Sequence, residues 1–408
     1  MKDQSFQSLR KQLLLVAAAQ GMIFWYAIEK LYYLDKGVTL QTIVILGIIA
    51  QGSKIAFELP TSVFADRWSR RSSLIASNIF MVLASLVIGL SSSFGFFAIG
   101  IVLWSFCDAL RSGVYEAFAY DSLKMKGWQG RYRKVYTRMV SAELLVMTFA
   151  GLAAGILGRV FGLQMNFFIT LVPVATAILV LLKMQEPPIV RTSSQGETWW
   201  RHLSGAAKIL HKADIRWVVI INTALMGFTF LWYEYYQLIG VNVHVPRIWF
   251  GALIACVTLG MTIGAELAHR FAGSKKVLFG GWLVFVTTLV VGMRSGNILI
   301  AIANMFVLSI ALRMIRVYAE VYLQDRIPSS RRATIFSLAG TVSYVWFFLF
   351  AGLFSLALTR FDTRITYTLA SIPILLIGLT DIIIKRLPWS TSQTAPLVLE
   401  ETDHVASL

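Results

Sequence analysis

Charged side chains are scarce in this chain of 408 residues. Asp, Glu, Lys and Arg make up 14% of it, whereas a soluble protein carries about 25%. Hydrophobic residues make up 57%, and the mean hydropathy is +0.68. This shortage of charge excludes a soluble globular protein of ordinary composition, because so much apolar surface needs lipid to face.

Cysteine and histidine are also rare, and their placement excludes several kinds of chemistry. Cys107 and Cys256 fall in separate apolar segments without metal-ligand spacing, which argues against a disulfide and a zinc site. The five histidines all lie in loops, near segment ends or in the tail, so none is placed as a proton relay within a membrane. The chain has no P-loop and no serine elbow. We therefore predict no enzyme and no cofactor.

Long apolar segments are what the sequence does contain. Each is about 20 residues long, which is enough to cross a bilayer. The segments cover about 13–34, 40–64, 72–92, 95–123, 134–161, 165–184, 215–240, 248–270, 277–294, 297–324, 333–358 and 364–385. We predict an all-α membrane protein whose twelve transmembrane helices are numbered here from span one to span twelve. The first segment has no cleavage site and is expected to be retained.

Several features recur at about half the chain length, with offsets of about 203 to 207 residues. Two acids five residues apart end span four, and another such pair ends span ten. A Trp-Tyr pair followed by an acid occurs in span one and again in span seven. The residues are Glu116 and Asp121, Glu320 and Asp325, Trp25-Tyr26 with Glu29, and Trp232-Tyr233 with Glu234. This repetition predicts two homologous six-helix halves.

The predicted domain boundaries follow from this repeat. The halves cover 1–184 and 215–386, and a polar tail covers 387–408. Between them, 185–214 is predicted to be a cytoplasmic linker with a short amphipathic helix near Trp199-Trp200-Arg201-His202.

The net charge of +16 is distributed very unevenly across the predicted membrane. Loops on one side hold 26 Lys and Arg, loops on the other side hold six, and five lie within spans. This asymmetry predicts a cell-membrane protein with both termini in the cytoplasm. The basic residues are then expected to meet anionic lipid head groups rather than nucleic acid. Lys30, near the end of span one, is expected to snorkel to the membrane surface.

The loop between spans two and three carries a charged, arginine-rich turn with Asp66, Arg67, Arg70 and Arg71, and a degraded copy follows at 268–276. On this turn, and on Arg111 with the glycine two residues later, the chain resembles the major facilitator superfamily over residues 10–386. The stretches 58–61 and 112–123 resemble its bacterial efflux members. The chain departs from the family at two serines, 62 and 69, where glycine is usual. Span five also lacks the proline of the drug-antiporter motif.

The resemblance implies a gating latch made of Asp66, Arg67, Arg70, Arg71 and Asp121. In this hypothesis Asp66 sits near the N-terminus of a neighbouring helix and Arg70 reaches Asp121. The alternative is that these charges only fix the topology of the loop.

Ionisable groups within spans are costly and usually face a cavity or a partner. The candidates for proton coupling are Glu29, Glu234, Asp108, Arg111, Glu116 and Glu143. At helical spacing, Asp108 with Arg111 and Arg316 with Glu320 are equally well explained as structural ion pairs.

Aromatic residues surround the acids of spans one and seven. The candidates for a substrate cavity are Trp25, Tyr26, Trp232, Tyr233 and Tyr236, which would suit a lipophilic or cationic organic solute. The alternative is an aromatic belt at the membrane surface.

These features together predict a monomeric secondary transporter that works by alternating access. The most consistent function is export of a small organic compound, drug-like or a secondary metabolite, in exchange for protons. The first competing hypothesis is a proton-coupled importer or facilitator of a nutrient such as a sugar, organic acid or peptide. A membrane sensor on the same scaffold is the second.

Overall fold

The computed structural model describes residues 2–67, 69–187, 213–271, 275–290, 295–326 and 329–384. Within these ranges the chain is helical, with no strand. In the part of the chain that the structure describes, ten helical segments are apolar and long enough to cross a membrane, and two shorter helical stretches bring the number of spans to twelve. The predicted all-helical fold is thereby confirmed. The linker segment 188–212 and the tail after 384 lie outside the described residues.

Most helices follow the predicted spans to within about four residues, but the first begins at Lys2, well before the predicted start at 13. The first six spans are Lys2–Gly21 with Phe24–Ala27 and Glu29–Asp35, Leu40–Arg67, Arg70–Leu90, Phe94–Arg111 with Val114–Met125, Tyr132–Val160, and Met165–Lys183. The last six are Ala213–Asn242, Phe250–Arg270, Lys275–Val290, Ile298–Arg326, Ser329–Ala357, and Thr363–Ala370 with Ile372–Ile384. We call the face where span one ends and span two begins the distal face. The opposite face, where the chain begins, is the terminal face.

Span one is interrupted, although its sequence has no proline. The first helix ends at Gly21, a 3-10 turn covers Phe24–Ala27, and a new helix starts at Glu29. The backbone N–H of Phe24 donates to Thr170 Oγ1 at 3.1 Å, which satisfies a group that the break leaves without a helical partner. A Cβ at Gly21 would lie 2.3 Å from the carbonyl oxygen of Glu143. Only glycine therefore lets spans one and five approach this closely.

Span four is interrupted at Gly113, which adopts the left-handed conformation with φ 71° and ψ −22°. Side chains with a Cβ pay for that conformation in steric strain, whereas glycine does not. The turn ends one helix at Arg111 and places Glu116 in the first turn of the next. The left-handed turn therefore explains why a glycine, Gly113, follows two residues after Arg111 in the sequence motif.

Glycines also bring the two halves together where span five crosses span eight. A Cβ at Gly251 would lie 1.7 Å from the carbonyl oxygen of Gly151, and one at Gly155 would lie 2.2 Å from that of Ile248. The helix backbones are therefore in direct contact, as small residues at four-residue spacing allow.

Hydrogen bonds between the halves lie on the distal side as well. In the described ranges, six hydrogen bonds join the distal parts of spans one and two to span seven or to the loops after spans seven and eleven. The pairs are Lys30 N–Gln237, Lys30 Nζ–Glu234, Gln237–Tyr26 O, Tyr235–Val44 O, Gln41–Leu358 O and Arg247–Asp35. The halves are therefore closed against each other at the distal face.

Candidate functional site: a charged cavity between the halves

A cavity of about 280 Å³ lies between the two halves. Spans one, two, four, five and seven line it, so both halves contribute. Its charged residues are Glu29, Lys54, Asp108, Arg111, Glu143 and Glu234, and its aromatic residues are Tyr26, Trp104, Phe230 and Tyr233. Five of the six candidates for proton coupling therefore line one cavity.

A neighbouring cavity of about 210 Å³ continues along span four toward the terminal face. It shares Asp108, Arg111 and Glu143 with the first cavity and reaches Glu116, the sixth candidate. One carboxylate oxygen of Glu116 is buried and has no hydrogen-bond partner among the described residues. The polar lining thus extends from the centre of the molecule toward the terminal side.

The distal end of the cavity is formed by a buried charge cluster, the Lys30 cluster, which consists of Glu29, Lys30, Tyr33, Glu234 and Gln237. Lys30 Nζ lies 2.7 Å from Glu29 Oε2 and 2.5 Å from Glu234 Oε1. Tyr33 donates to the other oxygen of Glu29 at 2.6 Å. The side chain of Lys30 is only 5% exposed, so the prediction that it snorkels to the membrane surface is wrong. Sequence reasoning missed this role, because the second carboxylate comes from the other half of the chain.

A second set of ion pairs lies nearer the centre of the first half. Asp108 contacts Arg111 at 3.5 Å, the pair that helical spacing predicts, but its shorter contact is with Lys54 of span two at 2.5 Å. Arg111 in turn lies 3.4 Å from Glu143 of span five. The result is a chain of alternating charges, Lys54–Asp108–Arg111–Glu143, that joins spans two, four and five. Arg316 and Glu320 likewise form a pair, at 2.8 Å.

The tyrosines of the two Trp-Tyr pairs face the cavity, and the tryptophans do not. The rings of Tyr26 and Tyr233 are 5.8 Å apart and belong to different halves. Trp25 is buried in the first half and donates to Ser85 Oγ at 3.2 Å, while Trp232 is buried in the second and donates to Ser309 Oγ at 3.0 Å. The structure therefore places both tryptophans away from the cavity, inside the packing of their own halves.

Tyr236 is the fifth aromatic candidate. It is fully buried, does not line the cavity, and its ring lies 6.4 Å from that of Tyr233. Its position behind Tyr233 makes it a supporting residue for that ring.

At the terminal face, Arg70 forms an ion pair with Asp121 between spans three and four. Arg71 donates to the carbonyl oxygen of Met184 at 2.7 Å, at the end of span six. The side chains of Asp66 and Arg67 lie outside the described residues. The gating role of all five latch residues stays a prediction.

Glu186 was missed by sequence reasoning, although it organises this loop. Its carboxylate accepts hydrogen bonds from the backbone N–H of Arg70 at 3.0 Å and of Arg71 at 3.1 Å, and from Ser69 Oγ at 2.5 Å. Ser69 itself caps span three through the N–H of Ser72. An acid does meet a helix N-terminus here, as helix dipoles favour, and it comes from beyond span six.

On the distal face, Asp362 caps the first helix of span twelve. Its burial favours the neutral acid, but hydrogen bonds from the backbone N–H of Ile365 and the pairing with Arg364 outweigh this and lower the pKa of Asp362. The ionised cap therefore stabilises the start of span twelve.

Residues 13–264, more than half of the chain, match the Major Facilitator Superfamily. The chain belongs to this family. A curated relative, the uncharacterized MFS-type transporter YxaM of Bacillus subtilis (strain 168), is 26% identical over 168 residues. That alignment covers 41% of this chain and 40% of the relative, so the match spans less than half of either protein.

Solved structures of the family share the fold at low sequence identity. The nucleoside transporter NupG superposes with a TM-score of 0.74 at 11% identity, and the alignment covers 92% of this chain and 98% of NupG. The inward-open xylose transporter XylE from E. coli gives 0.65 at 13% identity, covering 95% and 97%. A bacterial homolog of the human lysosomal transporter Spinster, inward-facing and occupied, gives 0.66 at 12%, covering 94% and 97%.

Membership of this superfamily makes the protein a multi-pass membrane protein of the transporter class rather than an enzyme. The resemblance to efflux members is not decided by these comparisons, because the similar structures include nucleoside and xylose transporters.

Proposed function

We propose that this transporter exports a small organic compound in exchange for protons. It works as a monomer in the cell membrane, with the terminal face toward the cytoplasm. The observation that carries the proposal is the cavity itself, in which four carboxylates and two aromatic rings from different halves surround one space: Glu29, Asp108, Glu143, Glu234, Tyr26 and Tyr233.

The positions at which the halves touch support alternating access. Six hydrogen bonds between them in the described ranges are distal, as are the glycine contacts of spans five and eight. This arrangement is the state closed toward the outside. Breaking the distal contacts and forming terminal ones would convert it into the opposite state. The Arg70–Asp121 pair, already formed between spans three and four, would hold the terminal end of the first half together during that change.

Proton coupling is supported by the charge balance of the cavity. Four lining carboxylates face two lining cations, Lys54 and Arg111, and Lys30 adds a third cation behind the wall. One negative charge then remains uncompensated among these groups, and it favours binding of a proton or a cation. A proton and a cationic solute that compete for this charge would be exchanged for each other.

The test uses purified protein in liposomes with an imposed pH gradient. Lumenal pH is followed while lipophilic cations, sugars, nucleosides and organic acids are added one at a time. We expect an organic compound to drive proton movement in the opposite direction, and we expect Glu29→Gln or Glu234→Gln to abolish it. Glu266→Gln, an exposed member of a surface pair with Arg270, is the matched control and should behave like the wild type.

Two outcomes would overturn the proposal. Proton movement in the same direction as a sugar, nucleoside or organic acid would make the protein an importer, the competing function. Coupled transport that persists unchanged in both glutamine variants would remove these carboxylates from the mechanism.

A further inference from the structure

The terminal end of span five carries basic side chains that no carboxylate neutralises. Between 122 and 142 the sequence has six Lys and Arg and no Asp or Glu. An open pocket of about 440 Å³ lies there, lined by Gly130, Lys134, Thr137 and Arg138. Lys134 and Arg138 are exposed, and neither forms an ion pair within the described ranges. At the terminal end of span eight, by contrast, Arg270 pairs with Glu266.

The same face of span five continues toward the distal side as a stripe of exposed apolar side chains. Positions seven, eleven, fourteen and eighteen residues after Arg138 return to within about 40° of it on an α-helix. These positions are between 40% and 63% exposed and are occupied by Leu145, Phe149, Leu152 and Ile156. Glu143, which lines the central cavity, lies on another side of the helix. The apolar stripe therefore faces the acyl chains of the bilayer.

The length of the apolar stripe places Arg138 at the depth of the lipid head groups. Arg138 and Arg159 lie at its two ends and are 21 positions apart on one helix. At 1.5 Å per residue this separation is about 32 Å, which matches a hydrocarbon core about 30 Å thick. Lys134 lies one turn, about 6 Å, further out in the head-group layer. The acyl chains thus end, and the phosphate groups begin, at the level of Arg138.

The two cations are spaced so that both can contact one phosphate group. Side chains at positions i and i+4 leave the same face of a helix with their Cβ atoms about 5–6 Å apart. Arg138 offers a planar fork of donors and Lys134 a compact charge, and both groups bind phosphate oxygens. A lipid with a net negative charge gains from both cations, whereas a zwitterionic lipid brings a cation of its own.

From these observations we propose that Lys134 and Arg138, together with the apolar stripe, form a binding site for one anionic phospholipid. The phosphate lies between the two cations in the pocket, and an acyl chain lies along Leu145 and Phe149. The rise from Arg138 to Phe149 is about 16 Å, half the thickness of the hydrocarbon core, so a chain of one leaflet covers it. This site is separate from the central cavity and does not depend on the direction or the coupling of transport.

The test is native mass spectrometry of the full-length protein titrated with dioctanoyl phosphatidylglycerol or dioctanoyl phosphatidylcholine. We expect the wild type to bind one phosphatidylglycerol at least fivefold more tightly than phosphatidylcholine. The double variant Lys134→Gln with Arg138→Gln should bind phosphatidylglycerol about 25-fold more weakly, because each basic residue near the membrane surface contributes a factor of about five. The matched control is Arg159→Gln, which removes a charge from the distal end of the same helix and should bind like the wild type.

The comparison of the two lipids on the wild type tests the proposal without any variant. The double variant is also expected to fold, since both side chains are exposed and glutamine has nearly the same helix propensity. Equal affinity for the two lipids, or unchanged phosphatidylglycerol binding in the folded double variant, would overturn the site. Glycerol phosphate that binds as tightly as the lipid would do the same, because the apolar stripe would then have no part. A dimer that the double variant dissociates would show that a second copy of the chain covers this face instead.

Discussion

The contact between Gly251 and Gly151 can be tested with a single methyl group. In Gly251→Ala the new carbon would lie 1.7 Å from the Gly151 carbonyl oxygen and 2.4 Å from its carbon. Ordinary contacts between non-bonded atoms need ~3.5 Å, so spans five and eight must move apart by roughly 1.5–2 Å. Overpacking of this kind costs about 1–3 kcal/mol. Because backbone meets backbone, no side-chain rotation can relieve it.

This cost falls mainly on the distally closed state, where the two glycines touch. We therefore expect the equilibrium to shift toward distal opening by about 5- to 150-fold, the range that corresponds to ~1–3 kcal/mol. The shift is measured by pulsed electron paramagnetic resonance between spin labels at Lys36→Cys and Arg360→Cys. Both positions are exposed on the distal face and belong to different halves. The native Cys107 and Cys256 are first replaced by alanine.

The matched control is Gly352→Ala in span eleven, where an added Cβ meets nothing within 4 Å. Both substitutions raise helix propensity by up to ~1 kcal/mol, so the control isolates the effect of the contact. Gly352→Ala should leave the distance distribution of the wild type, while Gly251→Ala should add a longer component. An identical distribution in folded Gly251→Ala would show that this contact does not hold the distal side closed.

Three further predictions concern local structure. Gly113→Ala should lower stability by about 1–2 kcal/mol, because alanine is strained at φ 71°, and a fall in the thermal unfolding midpoint measures this; an unchanged midpoint would contradict it. Glu186→Gln should cost about 1 kcal/mol by weakening a charged cap on the N–H of Arg70, again read as a lower midpoint, and a neutral result would show that the acid is dispensable. Asp362→Asn should be less stable than the wild type at neutral pH. Because the pKa of Asp362 is lowered in the folded protein, the ionised carboxylate contributes stability above the ordinary pKa of 3.8, and this contribution is lost as the pH falls below that value. The stabilities of the two proteins should therefore converge in acid, and a constant difference down to pH 2 would refute the role of the charge.

The helices could be predicted from the sequence because hydrophobic run length alone specifies them. The interruption of span one at 22–28 could not be, since it has no proline and rests on a hydrogen bond to Thr170, which is 146 positions from Phe24. The break in span four left a signal, because Gly113 stands beside Arg111 in a motif.

The residues of the site were likewise only partly predictable from the sequence. The acids of the cavity were identifiable because ionisable groups are rare within spans. Their partners were not, since Lys54 with Asp108 and Lys30 with Glu234 join different spans. Helical spacing reports only partners on the same helix, as for Arg316 and Glu320. The side-chain direction of Trp25 and Trp232 was equally hidden, because a Trp-Tyr pair in sequence does not say which ring faces inward.

The Lys30–Glu234 contact also bears on how the transporter responds to membrane voltage. Work done on a moving charge is ~2.3 kcal/mol per elementary charge per 100 mV, counted only for displacement along the field. When the two halves part at the distal face, Lys30 and Glu234 separate mainly within the plane of the membrane, and their opposite charges cancel much of any motion along the field. Separation of this pair therefore contributes little to the voltage dependence of the conformational change. The membrane potential acts mainly through the one negative charge of the cavity that Lys30, Lys54 and Arg111 leave uncompensated.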